Sequence, residues 1–81
     1  MSEFQIFLSL ASSFMAAMAH EGRLYNRSIN RALGEALKFQ AQGVNFGVPV
    51  EQAAYEYAYW VTGGSPEPKW LPAGYRSTFV G

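Results

Sequence analysis

Counting along the chain from Phe4 in alternating steps of four and three meets Phe4, Leu8, Ala11, Met15, Met18, Gly22, Tyr25, Ile29, Ala32, Ala36, Phe39 and Gly43. No charged or strongly polar side chain falls on that line. A 4-3 spacing puts all of these residues on one stripe of an α-helix, and a stripe held this long is a coiled-coil-like seam. The spacing therefore predicts an all-α fold, led by a helical segment over residues 2–42.

Ser2 is a suitable cap for its first turn, with Glu3 and Gln5 just inside. Ile6, Phe7, Leu10, Phe14 and Ala17 widen the apolar surface beyond the seam, so this segment must be covered on more than one side. Ser9, Ser12 and Ser13 are small enough for close helix contacts. At Gly22 two readings compete. The glycine either ends a first helix, with His20 near its negative end, or lies inside a continuous one at a cost of about 1 kcal/mol. Unbroken seam phase across the glycine favours continuity, with an antiparallel hairpin hinged at Gly22 as the alternative. Gly43 is a natural stop.

Pro49 with Glu51 behind it announces a second helix over 49–62, on which Val50, Ala53, Ala54, Tyr57, Ala58, Trp60 and Val61 keep helical spacing. Alternating tyrosines from Tyr55 to Tyr59 give a rival strand reading, disfavoured by the alanines and the N-terminal signal. Beyond Gly63 the prolines at 66, 68 and 72 exclude regular helix. Residues 65–81 nevertheless carry Trp70, Leu71, Tyr75, Phe79 and Val80, which points to an ordered strap anchored by its aromatics. The whole of 1–81 is expected to be one small helical domain.

Apolar residues make up 49% of the chain and charged ones 15%, against roughly 25% charged in ordinary soluble domains. A chain this short buries only about 60–65% of its unfolded surface. Together these favour a homo-oligomer, or a complex with a larger protein. Six basic and six acidic residues cancel, giving no global attraction to nucleic acid or anionic lipid. The run from Phe4 to Ala19 ends in Ala17-Met18-Ala19, as a secretory leader does. Ser2 and Glu3 supply no basic start, and Gln5 and the serines interrupt it, so a buried helix and a cytoplasmic protein without membrane insertion are expected.

The lack of cysteine excludes disulfide and thiolate chemistry, and one histidine without aspartate leaves little from which to build a metal site. His20 and Ser13 stand two helical turns apart, about 10 Å, too far for a direct hydrogen bond. No catalytic residue and no cofactor are assigned. Three surfaces remain as binding candidates. The first is the apolar seam, through Met15, Met18, Tyr25, Ile29, Ala32, Ala36 and Phe39. The second is the aromatic strap, with Trp60, Trp70, Tyr75 and Phe79. The third is a basic face, where Arg23, Arg27 and Arg31 fall within roughly 80° of arc, joined by Lys38 and flanked by Asn26 and Asn30. Arginine forks suit phosphate or carboxylate, although Glu35 would neutralise part of this face. The reading favoured is a non-enzymatic protein-protein interaction module, an oligomeric adaptor or inhibitor of a larger protein. The alternatives are an anion, nucleotide or nucleic-acid binder using the basic face, and a structural subunit of an assembly.

Overall fold

A computed structural model of the chain describes residues 2–22 and 29–72. Three helices follow in order: α1 Glu3–His20, α2 Ile29–Ala41 and α3 Val50–Val61. Among the described residues there is no strand, so Tyr55–Val61 is helical and the fold is all-α.

The start of α1 is fixed by a reciprocal cap. Ser2 Oγ accepts the Gln5 backbone N–H at 3.2 Å, and Gln5 Oε1 accepts the Ser2 N–H at 3.1 Å. Two of the four donors that every helix N-terminus leaves without partners are thereby satisfied. At the other end the Glu21 N–H donates back to Ala17 and Met18, and the Gly22 N–H donates to Ala19 at 2.9 Å. Gly22 has φ 80°, a left-handed conformation that no right-handed helix contains. The continuous helix expected through Gly22 is therefore corrected: α1 stops at His20. Residues 23–28, between Gly22 and α2, lie outside the described residues, so the alternative of an antiparallel hairpin hinged at Gly22 is seen only on its α1 side.

α2 closes with paired bonds from Gly43 to Gln40 (3.0 Å) and from Val44 to Phe39 (3.1 Å). α3 closes in the same way, Gly63 to Trp60 (3.0 Å) and Gly64 to Tyr59 (2.8 Å). Pro49 caps α3 from just outside rather than occupying its first turn. Thr62, fully buried at the C-cap, donates its hydroxyl into the carbonyls of Ala58 (2.9 Å) and Tyr59 (3.0 Å). A polar side chain at that depth would otherwise be costly.

α1 packs most extensively on α3, and less on α2. Its buried line is Phe4, Phe7, Ala11, Met15 and Met18; Phe7 takes the deep position that the seam assigned to Leu8, which is half-buried. α2 contributes Ala32, Ala36 and Phe39, while α3 contributes six residues from Ala53 to Val61. Alanines at 11, 32, 36, 53, 54 and 58 are all fully buried, as expected where helix backbones approach closely.

The centre of the core is aromatic and draws one ring from each successive segment. Phe7 of α1 stacks on Phe46 of the α2–α3 connection, with ring centroids 4.7 Å apart. Tyr57 of α3 lies 5.7 Å from Phe7, and meets Phe39 of α2 edge-on at 5.5 Å. Trp70, from beyond α3, approaches Phe46 at 4.8 Å, Phe7 at 5.6 Å and Phe39 at 5.9 Å, each edge to face. Offset and edge-on pairs of this kind add about 0.5–1.5 kcal/mol each beyond the area they bury. Of the residues expected to form a strap, Trp70 and Leu71 pack against the core and Pro68 is buried; residues 73–81, including Tyr75 and Phe79, lie outside the described residues. Among the described residues no helix is long and apolar enough to cross a membrane.

Candidate functional site

Helical phase divides the tyrosines of α3 between two environments. Tyr57 points into the core, whereas Tyr55 and Tyr59, one turn apart, lie on the outer flank, where i and i+4 side chains meet. Their rings are nearly parallel, 16° apart in plane, with centroids at 6.1 Å. Tyr55 also receives Phe14 of α1 edge-on at 5.5 Å, and it remains 48% exposed.

Facing this flank is the segment that leaves α3 after Gly64, whose Ser65–Pro66 peptide is cis. Between the two runs an open groove of about 480 Å³. α3 lines it with Gln52, Tyr55, Glu56 and Tyr59; the segment lines it with residues 65–70; and the connection before α3 adds Phe46 and Val48. Pro66, Pro68 and the rings of Phe46, Tyr55, Tyr59 and Trp70 make it largely apolar. A concave surface of this size, apolar with a few placed polar groups, is the usual form of a binding site.

One hydrogen bond holds the two walls together. Trp70 Nε1–H donates to Glu56 Oε1 at 3.0 Å, while Glu56 Oε2 accepts from Gln52 Nε2 at 3.0 Å. Glu56 therefore lies fixed, half-buried, within the groove. Gly64 has the Tyr59 ring lying where a Cβ would project, so a side chain at 64 would push that ring aside. The absence of a side chain there is what lets Tyr59 fold back against the departing segment.

The three sequence candidates divide differently. Met15, Met18, Ala32, Ala36 and Phe39 of the seam are buried inside the chain's own core, and Ile29 is half-buried at its edge. The described residues of this candidate interface are thus largely occupied within the chain itself. Tyr25 lies outside the described residues. Of the strap aromatics, Trp60 is buried in α3 and Trp70 joins core to groove. Of the basic face, Asn30, Arg31 and Lys38 are exposed on α2, and Lys38 Nζ is 3.4 Å from Glu35 Oε1. Arg23, Asn26 and Arg27 lie outside the described residues, so the face is seen only in part. The groove itself combines residues that the sequence reading held apart: Tyr55 and Tyr59 entered there as part of an aromatic-rich stretch and Pro68 as a helix breaker, while Glu56 was not singled out. The signal was available in the helix phase, since Tyr55 and Tyr59 fall between the positions assigned to the buried face of α3.

Among the described residues no three acidic or histidine side chains gather where they could hold a metal ion, and no buried side-chain polar atom lacks a hydrogen-bond partner. Comparison with protein-family models, curated proteins and solved structures finds no significant match.

Proposed function

We propose that this chain is a small non-enzymatic protein-binding module, an adaptor or inhibitor that holds a segment of a larger protein in the groove between α3 and residues 65–70. The observation that supports the reading is the stacked, outward-facing pair Tyr55 and Tyr59 at the mouth of that groove. The fold already has five rings packed against one another inside. Tyr55 is half exposed and Tyr59, packed at the edge of the core, is partly so, and tyrosine is enriched at interfaces because it combines a large apolar face with a polar tip. Leu37, 54% exposed on α2, is a separate apolar point through which copies of the chain could associate. The basic face is the weaker candidate, because Lys38 is already shared with Glu35. A cytoplasmic location belongs to the same reading and is checked by fractionating source cells.

The test is site-specific photo-cross-linking in the native host. A benzophenone side chain at Tyr55 is expected to capture a discrete partner band, while the same group at Leu37 or Lys38 does not. Capture from Leu37 or Lys38, with none from Tyr55, would overturn the assignment of the surface.

A further inference from the structure

We infer that the groove receives an extended, arginine-bearing segment of the partner protein, with the guanidinium laid against the Tyr55 and Tyr59 rings and paired with Glu56 and Glu67. This rests on the reading of the groove as the binding surface, and it names what that surface selects.

Charge is the first argument. The groove is lined by two carboxylates, Glu56 and Glu67, against one ammonium, Lys69. Among the described residues neither carboxylate takes part in an ion pair, the pair formed there being Lys38 with Glu35 on α2. Glu56 is also held in place. Its two oxygens each accept one neutral donor, the Trp70 indole and the Gln52 amide, both at 3.0 Å. A carboxylate offers about four acceptor sites, so about half remain open to a further donor, and the two donors already present are neutral. A side chain already fixed loses little entropy when a cation meets it.

Geometry then selects among cations. Tyr55 and Tyr59 precede and follow Glu56 on α3, with ring planes 16° apart. Aromatic faces attract cations, and a guanidinium is flat, weakly hydrated and able to stack while its N–H groups reach a carboxylate in the same plane. An ammonium is more strongly hydrated and acts as a point charge. The volume of about 480 Å³, with Val48, Pro66 and Pro68 around it, is more than one guanidinium needs and leaves apolar room for the residues flanking it.

The experiment titrates the full, ¹⁵N-labelled chain with acetyl-Leu-Arg-Leu-amide and with the same peptide carrying citrulline, which keeps the shape and loses the charge. The arginine peptide is expected to shift the Trp70 indole and the Glu56 and Tyr59 amides, and to bind about tenfold more tightly than the citrulline peptide, as expected for one charged hydrogen bond. Added salt should narrow that difference. Glu56→Gln retains an oxygen to accept the Trp70 indole, so folding persists while the preference for arginine collapses; Glu67→Gln should reduce it less. Equal affinity for the two peptides would overturn the arginine assignment and leave the groove as a peptide site. Absence of any groove shift, together with no capture from Tyr55, would remove both readings. Concentration-dependent shifts of the same resonances in the free protein would give the groove to a second copy. Contacts from Tyr75 or Phe79 that the peptide fails to displace would give it to the chain's own C-terminal residues. Either result would overturn the inference.

Discussion

Tyr57 Oη donates to the Ala32 carbonyl oxygen at 2.7 Å, a buried bond between α3 and the backbone of α2 across 25 residues of sequence. It depends on a small residue at the acceptor. Alanine at 32 leaves the helix surface low enough for a phenol to reach a carbonyl that also serves α2. Tyr57 is fully buried and touches Phe7, Phe39 and Trp70, so this hydroxyl ties down the ring at the centre of the core.

Tyr57→Phe tests that tie with almost no change of shape. The ring contacts survive and one buried hydrogen bond is lost, for which about 1 kcal/mol of stability is expected. In a domain of this size that is a fall in Tm of about 4–8 °C, read by circular dichroism. Tyr57→Ala should cost about 3–5 kcal/mol, because it also opens a cavity among the surrounding rings. An unchanged Tm for Tyr57→Phe would mean that α2 does not rest on this hydroxyl.

Trp70 joins the segment after α3 to the rest of the molecule, and two substitutions separate its contributions. Trp70→Phe keeps an aromatic ring beside Phe7, Phe39 and Phe46 but removes the donor to Glu56. Water can reach the half-buried carboxylate, so a loss of only about 1 kcal/mol is expected. Trp70→Ala removes the ring as well and should cost about 3 kcal/mol, at the low end for a large aromatic because Trp70 is only partly buried. Chemical denaturation of the two variants gives the comparison. Near-equal stability of both with the parent would show that residues 65–72 are not anchored by the indole.

The sequence made the helices legible and left the connections obscure, for separable reasons. Capping chemistry is local: Ser2 with Gln5, Gly43 and the Pro49–Glu51 start are recognisable from neighbours alone, and the observed ends lie within a residue or so of those expected. Gly22 is different. Seam phase persisted across it because the residues on both sides line one core, and that constraint holds whether the helix is continuous or broken. Periodicity therefore could not report the break, although the glycine itself could. At the candidate site, the richness of residues 55–79 in aromatics was visible. Which rings face inward follows only from the phase of α3 and from where Trp70 lands. Glu56 gains its place through a bond to a residue 14 positions away, and no local pattern encodes such a partner.

Gly64→Ala should reshape the groove while sparing the fold. The glycine does not adopt a left-handed conformation, so the backbone tolerates alanine, and the entropy of the unfolded chain even favours it slightly. The new methyl would occupy the space of the Tyr59 ring, the far end of a half-buried side chain, which is expected to rotate away. Stability is expected to stay within about 1 kcal/mol of the parent. The ring-current shifts that Tyr59 imposes on Tyr55 should disappear from the NMR spectrum, and any ligand of the groove should bind more weakly. Retained Tyr55 shifts together with a large loss of stability would show that Tyr59 cannot move and that the methyl strains the backbone instead.

Met15→Glu separates the two uses of the seam. Met15 has no exposure, and Met18 beside it is engaged by the Thr62 hydroxyl at 3.4 Å. A carboxylate introduced there has no cation to meet among the described residues of the core, and leaving it unpaired costs several kcal/mol even if it takes up a proton. A domain of this size has about 4–12 kcal/mol of stability in total, so that loss removes much or all of it. The expected result is loss of the cooperative melt itself. Leu37→Glu, on the exposed side of α2, should leave the melt intact, and if copies associate through that point it should lower the sedimenting mass. Should Met15→Glu instead remain folded and merely fall to a smaller mass, the seam would be an intermolecular surface, and the core packing of α1 against α3 described here would be wrong.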